Sequence, residues 1–142
     1  MSKVYWIVFS KDLLWFTDQG KLPEDSELLA SLSSKENVRR MENAGGQSFL
    51  GVQLAPECLP KNWKLVHLRQ AFELLSANEY KVVCKLKELL HWDEEHQFCG
   101  KCAHKLKQLT DISKQCPNCG REYWPSPSPA MIVLVEKPSE DG

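Results

Sequence analysis

No apolar run in this chain approaches the roughly 20 residues needed to cross a bilayer, so no helical membrane span is expected. Charge of one sign is not in excess either. Lysine and arginine number 18 against 19 acidic residues, a formal net charge of −1. The molecule as a whole is therefore not built around attraction for a polyanion. The amino terminus, residues 1–9, lacks the basic segment, apolar run and small-residue cleavage site of a secretory leader. A reducing, cytoplasmic setting is the expectation, and it makes disulfides the weaker reading of the cysteines. What remains is ordinary for a globular protein: 142 residues, 42 % hydrophobic and 26 % charged, enough for one domain or two small ones.

Six cysteines stand out against that background, and four of them are ordered. Cys99-Gly-Lys-Cys102 and Cys116-Pro-Asn-Cys119 are two Cys-x-x-Cys pairs separated by thirteen residues. Two intervening residues let one tight turn aim both sulfurs at a point. Thirteen more are enough for a short hairpin that brings the second pair opposite the first. Zinc takes four ligands in a tetrahedron with thiolate bonds of about 2.3 Å, so Cys99, Cys102, Cys116 and Cys119 read as a closed structural zinc site of the ribbon type. Four sulfurs leave no position for a catalytic water. Gly120 follows the second pair and can adopt the positive φ such a turn often needs; Ala103 holds the matching place in the first turn and is less permissive. His96 and His104 lie near enough to compete as ligands, but each would displace a better-spaced cysteine. Cys58 and Cys84 read as buried thiols.

The rest of the chain reads as α+β. Val4 to Phe9 and Leu13 to Phe16 are β-branched or aromatic and make an opening hairpin. Ser26 to Leu32 can form a helical turn, and Lys35 to Gly46 reads as a loop. Ser48 to Leu54 and Trp63 to Leu68 are further strands. The period then changes to 3.6. Ser76 and Glu79 form a capping box, and Val82, Val83, Leu86, Leu89 and Leu90 share one face, so a helix is expected over 78–95 with a core-packing stripe. Trp92 and His96 would close its junction with the ribbon. Lys105 to Leu109 is expected to be a ribbon strand. Pro125, Pro127 and Pro129 stiffen an extended connector, and Met131 to Val135 reads as an apolar strand that needs neighbours. The organisation expected is thus an α+β domain over 1–76, a connecting helix over 77–95, a ribbon over 96–124, and a connector with one strand over 125–142.

Several of these pieces together resemble the NADH pyrophosphatases of the Nudix hydrolase superfamily. They are Leu90-His91-Trp92, the run from His96 to Cys102, Cys116 to Gly120, Tyr123-Trp124-Pro125 and Ser128 to Ile132, with weaker echoes in Trp15-Phe16, Gly20 to Pro23 and Leu68-Arg69. The resemblance implies an amino-terminal domain and a four-cysteine zinc ribbon ahead of a catalytic Nudix domain, assembled as a homodimer. It implies hydrolysis of the pyrophosphate of NAD(H) to mononucleotide and AMP, and removal of NAD caps from RNA in some members. Magnesium or manganese would be held by glutamates of a Nudix box, because hard cations prefer carboxylate oxygens and bridge them to phosphate. No Nudix box pattern occurs in this sequence. Met131 to Val135 resembles the first strand of that domain, and Glu136, Glu140 and Asp141, on a charged tail, cannot stand in for the box. The complete protein would be a Nudix NAD(H) pyrophosphatase by this resemblance, but this chain alone lacks the catalytic box, which leaves its own activity open, and no catalytic residue is assigned. Trp124, with Tyr123 beside it, occupies the position that contacts the nucleotide base across the dimer in the family; the competing role is packing.

Two other functions compete. A free-standing zinc-ribbon module for RNA or a protein partner would draw on Lys101, Lys105, Lys107, Lys114 and Arg121 against Asp111 and Glu122, a local charge of +3. Zinc on four thiolates lowers this to about +1, weak for phosphate binding, so stacking would have to carry the affinity. A thiol–disulfide enzyme would need a Cys-x-x-Cys at a helix start after a strand, and neither pair is so placed.

Overall fold

A computed structural model of the chain describes residues 3–32, 38–43 and 45–138. The opening aromatic and β-branched run becomes β1 (Val4–Ser10), which turns through Lys11-Asp12 into β2 (Leu13–Phe16). After α1 (Glu27–Leu32) come β3 (Arg39–Glu42), β4 (Ser48–Gln53), a 3₁₀ turn at Pro56–Cys58 and β5 (Lys64–His67). The five strands form one mixed sheet in the order β3-β4-β1-β2-β5; β1 and β4 are parallel and the other pairs antiparallel.

The central place of β1 explains its unbroken apolar sequence. A strand covered on both faces has no polar side to show. Ile7 and Phe9 point into one core with Leu14, Phe16, Met41 and Phe49, while Trp6 and Val8 point into a second with Trp15, Val52, Leu59 and Leu29 of α1. The first core is closed by a long helix. After α2 (Leu68–Ala71), α3 (Ala77–Glu95) lays Val82, Val83, Leu86, Leu89 and Leu90 across the sheet, all buried. Its start has the expected capping box: the Glu79 amide donates to Ser76 Oγ at 3.2 Å, and Glu79 Oε1 accepts from the Ser76 amide at 3.0 Å. At Gly51 the helix comes so near that an added Cβ would lie 3.1 Å from Leu86 Cδ2.

Three expectations need correction. Within 35–46, read as a loop, Arg39–Glu42 is a strand, β3, paired with β4 through Met41↔Phe49 and Arg39↔Gly51. Its inward–outward alternation is regular, but one of its two inward residues is the cation Arg39, so the segment looked polar throughout. The turn that follows is held by Asn43 Oδ1, which accepts from the Gly45 and Gln47 amides at 3.0 and 2.9 Å. Second, the first ribbon strand begins later than Lys105: β6 is Lys107–Thr110, because Leu106 turns inward against the cysteines and its amide donates to Gln97 O at 2.9 Å. Third, Met131 to Val135 forms no ladder. These side chains are 63–101 % exposed and none of the described residues pairs with them. Strand propensity becomes a strand only where a neighbour supplies hydrogen bonds.

Candidate metal centre

Beyond α3 the chain builds a three-stranded sheet, β6-β7-β8, with β7 at Ser113–Gln115 and β8 at Glu122–Tyr123. The two cysteine turns at its end repeat one another. Cys99 N donates to His104 O at 2.8 Å, and Cys116 N to Arg121 O at 2.9 Å. Ala103 N donates to Cys99 O and Gly120 N to Cys116 O, at 2.9 and 3.0 Å. Both turn-closing residues have positive φ, 63° at Ala103 and 75° at Gly120. That matches the sequence reading of Gly120. It also means that Ala103 holds a left-handed conformation unfavourable to a residue with a Cβ.

The repeated turns converge four sulfurs. Cys99, Cys102, Cys116 and Cys119 place their Sγ atoms within 4.8 Å of one another, with Cys99–Cys119 at 3.6 Å and Cys102–Cys116 at 3.3 Å. A tetrahedron with bonds of about 2.3 Å has edges of roughly 3.8 Å, so the set fits a single zinc ion. None of the six cysteines is in a disulfide. Cys58 is exposed and Cys84 half-buried, so neither is the buried thiol expected of it. Neither histidine joins the cluster. His96 stacks on Trp92 with ring centroids 5.4 Å apart and sets Nδ1 3.1 Å from Trp92 O; His104 Nδ1 lies 3.2 Å from Cys102 O.

The electrostatics point the same way. A hydrogen bond from Tyr123 lowers the Cys99 thiol to about 7. The His104 backbone N–H, with help from Cys116, lowers Cys102 to about 5. At Cys119 the Arg121 backbone pulls down, but desolvation and crowding by Cys116, Cys99 and Cys102 outweigh it and raise the thiol to about 11. Sulfurs this close cannot all carry negative charge unaided, and a divalent cation at their centre removes the conflict. Its chemistry there would be structural, since four thiolates fill the coordination shell.

Tyr123 and Trp124 leave the second turn in different directions. The Tyr123 hydroxyl lies 3.2 Å from Cys99 Sγ and accepts from the Gly100 amide at 3.1 Å, so it locks the first turn. The ring carries the Arg121 guanidinium 5.5 Å from its centroid. Trp124 is 53 % exposed and forms one wall of a cleft of about 350 Å³ with Lys85, Glu88, Leu89, Ile112 and Pro125. Sequence reasoning missed a polar group at the end of α3, in which Arg39 and Lys114 meet on Asp93.

The family model that describes the NADH pyrophosphatase zinc ribbon domain matches residues 94–124. The NAD-capped RNA hydrolase NudC of Chromobacterium violaceum is 30 % identical over 95 % of this chain and 50 % of its own length. That of Deinococcus radiodurans is 29 % identical over 94 % of this chain and 46 % of its own. The chain is homologous to the amino-terminal and zinc-ribbon region of these proteins. It spans about half the length of the relatives it matches. In Haemophilus influenzae the NudC match narrows to 67 residues, 46 % of this chain, at 36 % identity. Among the described residues no helix is long and apolar enough to cross a membrane.

Proposed function

We propose that this chain is the amino-terminal and zinc-ribbon portion of an NAD(H) pyrophosphatase. In this reading, residues 1–76, 77–95, 96–124 and 125–142 are sheet domain, connecting helix, ribbon and connector, and the protein works in the cytoplasm. The four cysteines hold a structural zinc, the portion assembles as a homodimer, and Trp124 offers its indole to a nucleotide base of NAD(H) or of an NAD cap on RNA. Magnesium or manganese belongs to a Nudix box, which this sequence does not contain. The observation that carries the reading is Trp124 itself: a half-exposed indole one residue beyond the tyrosine that locks the metal turn. Tyr123 supports it from the ribbon side, with its hydroxyl already engaged. Stacking a base on an indole contributes about 1–3 kcal/mol, enough to orient a substrate and too little to hold it alone. The names of the relatives, NAD-capped RNA hydrolases, support the choice of ligand.

Titration with NAD and AMP, followed by tryptophan fluorescence, tests the base contact. Quenching is expected in this chain and absent in Trp124→Ala; equal quenching in both would remove Trp124 from the site. With NADH and manganese, no AMP should form. Product that tracks protein concentration through repurification would mean that catalytic acids lie within this sequence. Sedimentation equilibrium at twice the chain mass is expected for the dimer, and a monomer at all concentrations would exclude self-assembly of this portion.

A further inference from the structure

Asp93, in the last turn of α3, receives both Arg39 Nε and Nη2 from β3. Lys114 Nζ, from β7, lies 3.1 Å from Asp93 Oδ1 and also donates to Asp93 O at 3.2 Å and His96 O at 2.8 Å. It sits 5.2 Å from the Trp92 ring centroid. Arg39 Nη1 reaches on to Asp111 O, in the β6–β7 turn, at 3.1 Å. Arg39 is 2 % exposed and Lys114 8 %. Two buried cations thus share one carboxylate, and the remaining charge is met by three carbonyls, two of them at the negative end of the helix.

We infer that this group couples the metal centre to the amino-terminal sheet, so that zinc binding stabilises the β3–β4 edge and the clamp in turn retains zinc. The connectivity requires it. Lys114 stands two residues before Cys116. The ribbon's own apolar cluster is only Cys99, Leu106 and Cys116 with Cys102 and Tyr123 against it, too small to hold the β6–β7 hairpin without metal. When the hairpin loosens, Arg39 loses the Asp111 carbonyl and Asp93 loses Lys114. The buried Arg39 guanidinium and the part-buried Asp93 carboxylate are left with fewer partners, and removing partners from a buried charge is the costly way to disturb such a network. Coupling of this kind is reciprocal: whatever zinc does for Arg39, Arg39 does for zinc. The group also sets the position of Ile112, a wall of the Trp124 cleft, through the turn it grips.

The test is the equilibrium zinc affinity of this chain, read by competition with a chromophoric chelator. Arg39→Gln should bind zinc roughly tenfold more weakly, while Lys3→Ala, an exposed pair with Glu24, should not differ from the parent. A folded Arg39→Gln that binds zinc with parental affinity overturns the coupling. Hydrogen exchange on the unsubstituted chain decides the matter independently of any variant's folding. On metal removal the amides of the β3–β4 ladder should lose protection, and unchanged protection there overturns the inference. A chain that binds no zinc at all overturns the metal reading and the coupling together; one that binds zinc without these effects overturns the coupling alone.

Discussion

At the scale of single residues, the cysteine turns show how one hydroxyl and a few amides prepare a metal site. Cys99 and Cys102 are shifted below the ordinary thiol value of 9.0, to about 7 and about 5. For a depressed acid the stabilisation is complete above the unfolded value and is lost as pH falls through the folded one. Zinc should therefore be held fully above about pH 9 and released as pH falls, with a half-release point set by proton competition for all four thiolates. Tyr123→Phe removes the donor to Cys99 and should move half-release to higher pH. Dye-monitored titration of both proteins checks this, and coincident curves would show that the hydroxyl does not act on the sulfur. Gly120 and the paired Cys-x-x-Cys spacing were legible because each follows from local geometry. The locking role of Tyr123 was not, because it depends on a hydroxyl arriving 24 residues after the sulfur it meets.

At the scale of elements, α3 was the most legible part of the chain: its cap and its apolar stripe are both local patterns of period 3.6. Two substitutions separate those contributions. Ser76→Ala removes one half of the capping box and should lower stability by about 1 kcal/mol in chemical denaturation. Leu86→Ala empties a fully buried position against Gly51 of β4 and should cost about 3 kcal/mol. A Leu86→Ala cost no larger than that of Ser76→Ala would mean that the helix is held by its cap more than by its packing. β3 was missed for an equally physical reason. Hydrophobic alternation finds a strand whose inner face is apolar, and Arg39 faces inward only because Asp93, 54 residues away, neutralises it.

At the scale of the whole molecule, two sheets share one long helix, and an exposed apolar segment follows the second. Pro125 to Pro138 carries no ladder and no buried side chain, whereas both sheets are anchored to buried cores. Limited proteolysis should therefore cut first between Trp124 and Pro138, at Met131 or Leu134 with chymotrypsin, and leave a fragment that contains the sheet, α3 and the zinc ribbon. Mass spectrometry of the first product identifies the cut; initial cleavage within α3 or the ribbon would mean that the junction at Asp93 is weaker than its hydrogen bonds imply. The same exposed segment illustrates the limit of propensity. Met131 to Val135 is as strand-prone as β1, but β1 lies between β4 and β2 and this segment lies beside nothing among the described residues.

The linear order of residues was sufficient for the four-cysteine cluster, the long helix, the opening hairpin and the α+β class, because each rests on spacing within one or two turns of chain. Tertiary structure alone decided three things: that β1 pairs in parallel with β4, that an arginine belongs inside the sheet, and that Trp124 faces a cleft while its neighbour Tyr123 faces the cysteines. These depend on which distant groups come to lie within about 3 Å of one another. A charge is buried or exposed, and an aromatic is packed or offered, according to partners that local sequence does not name.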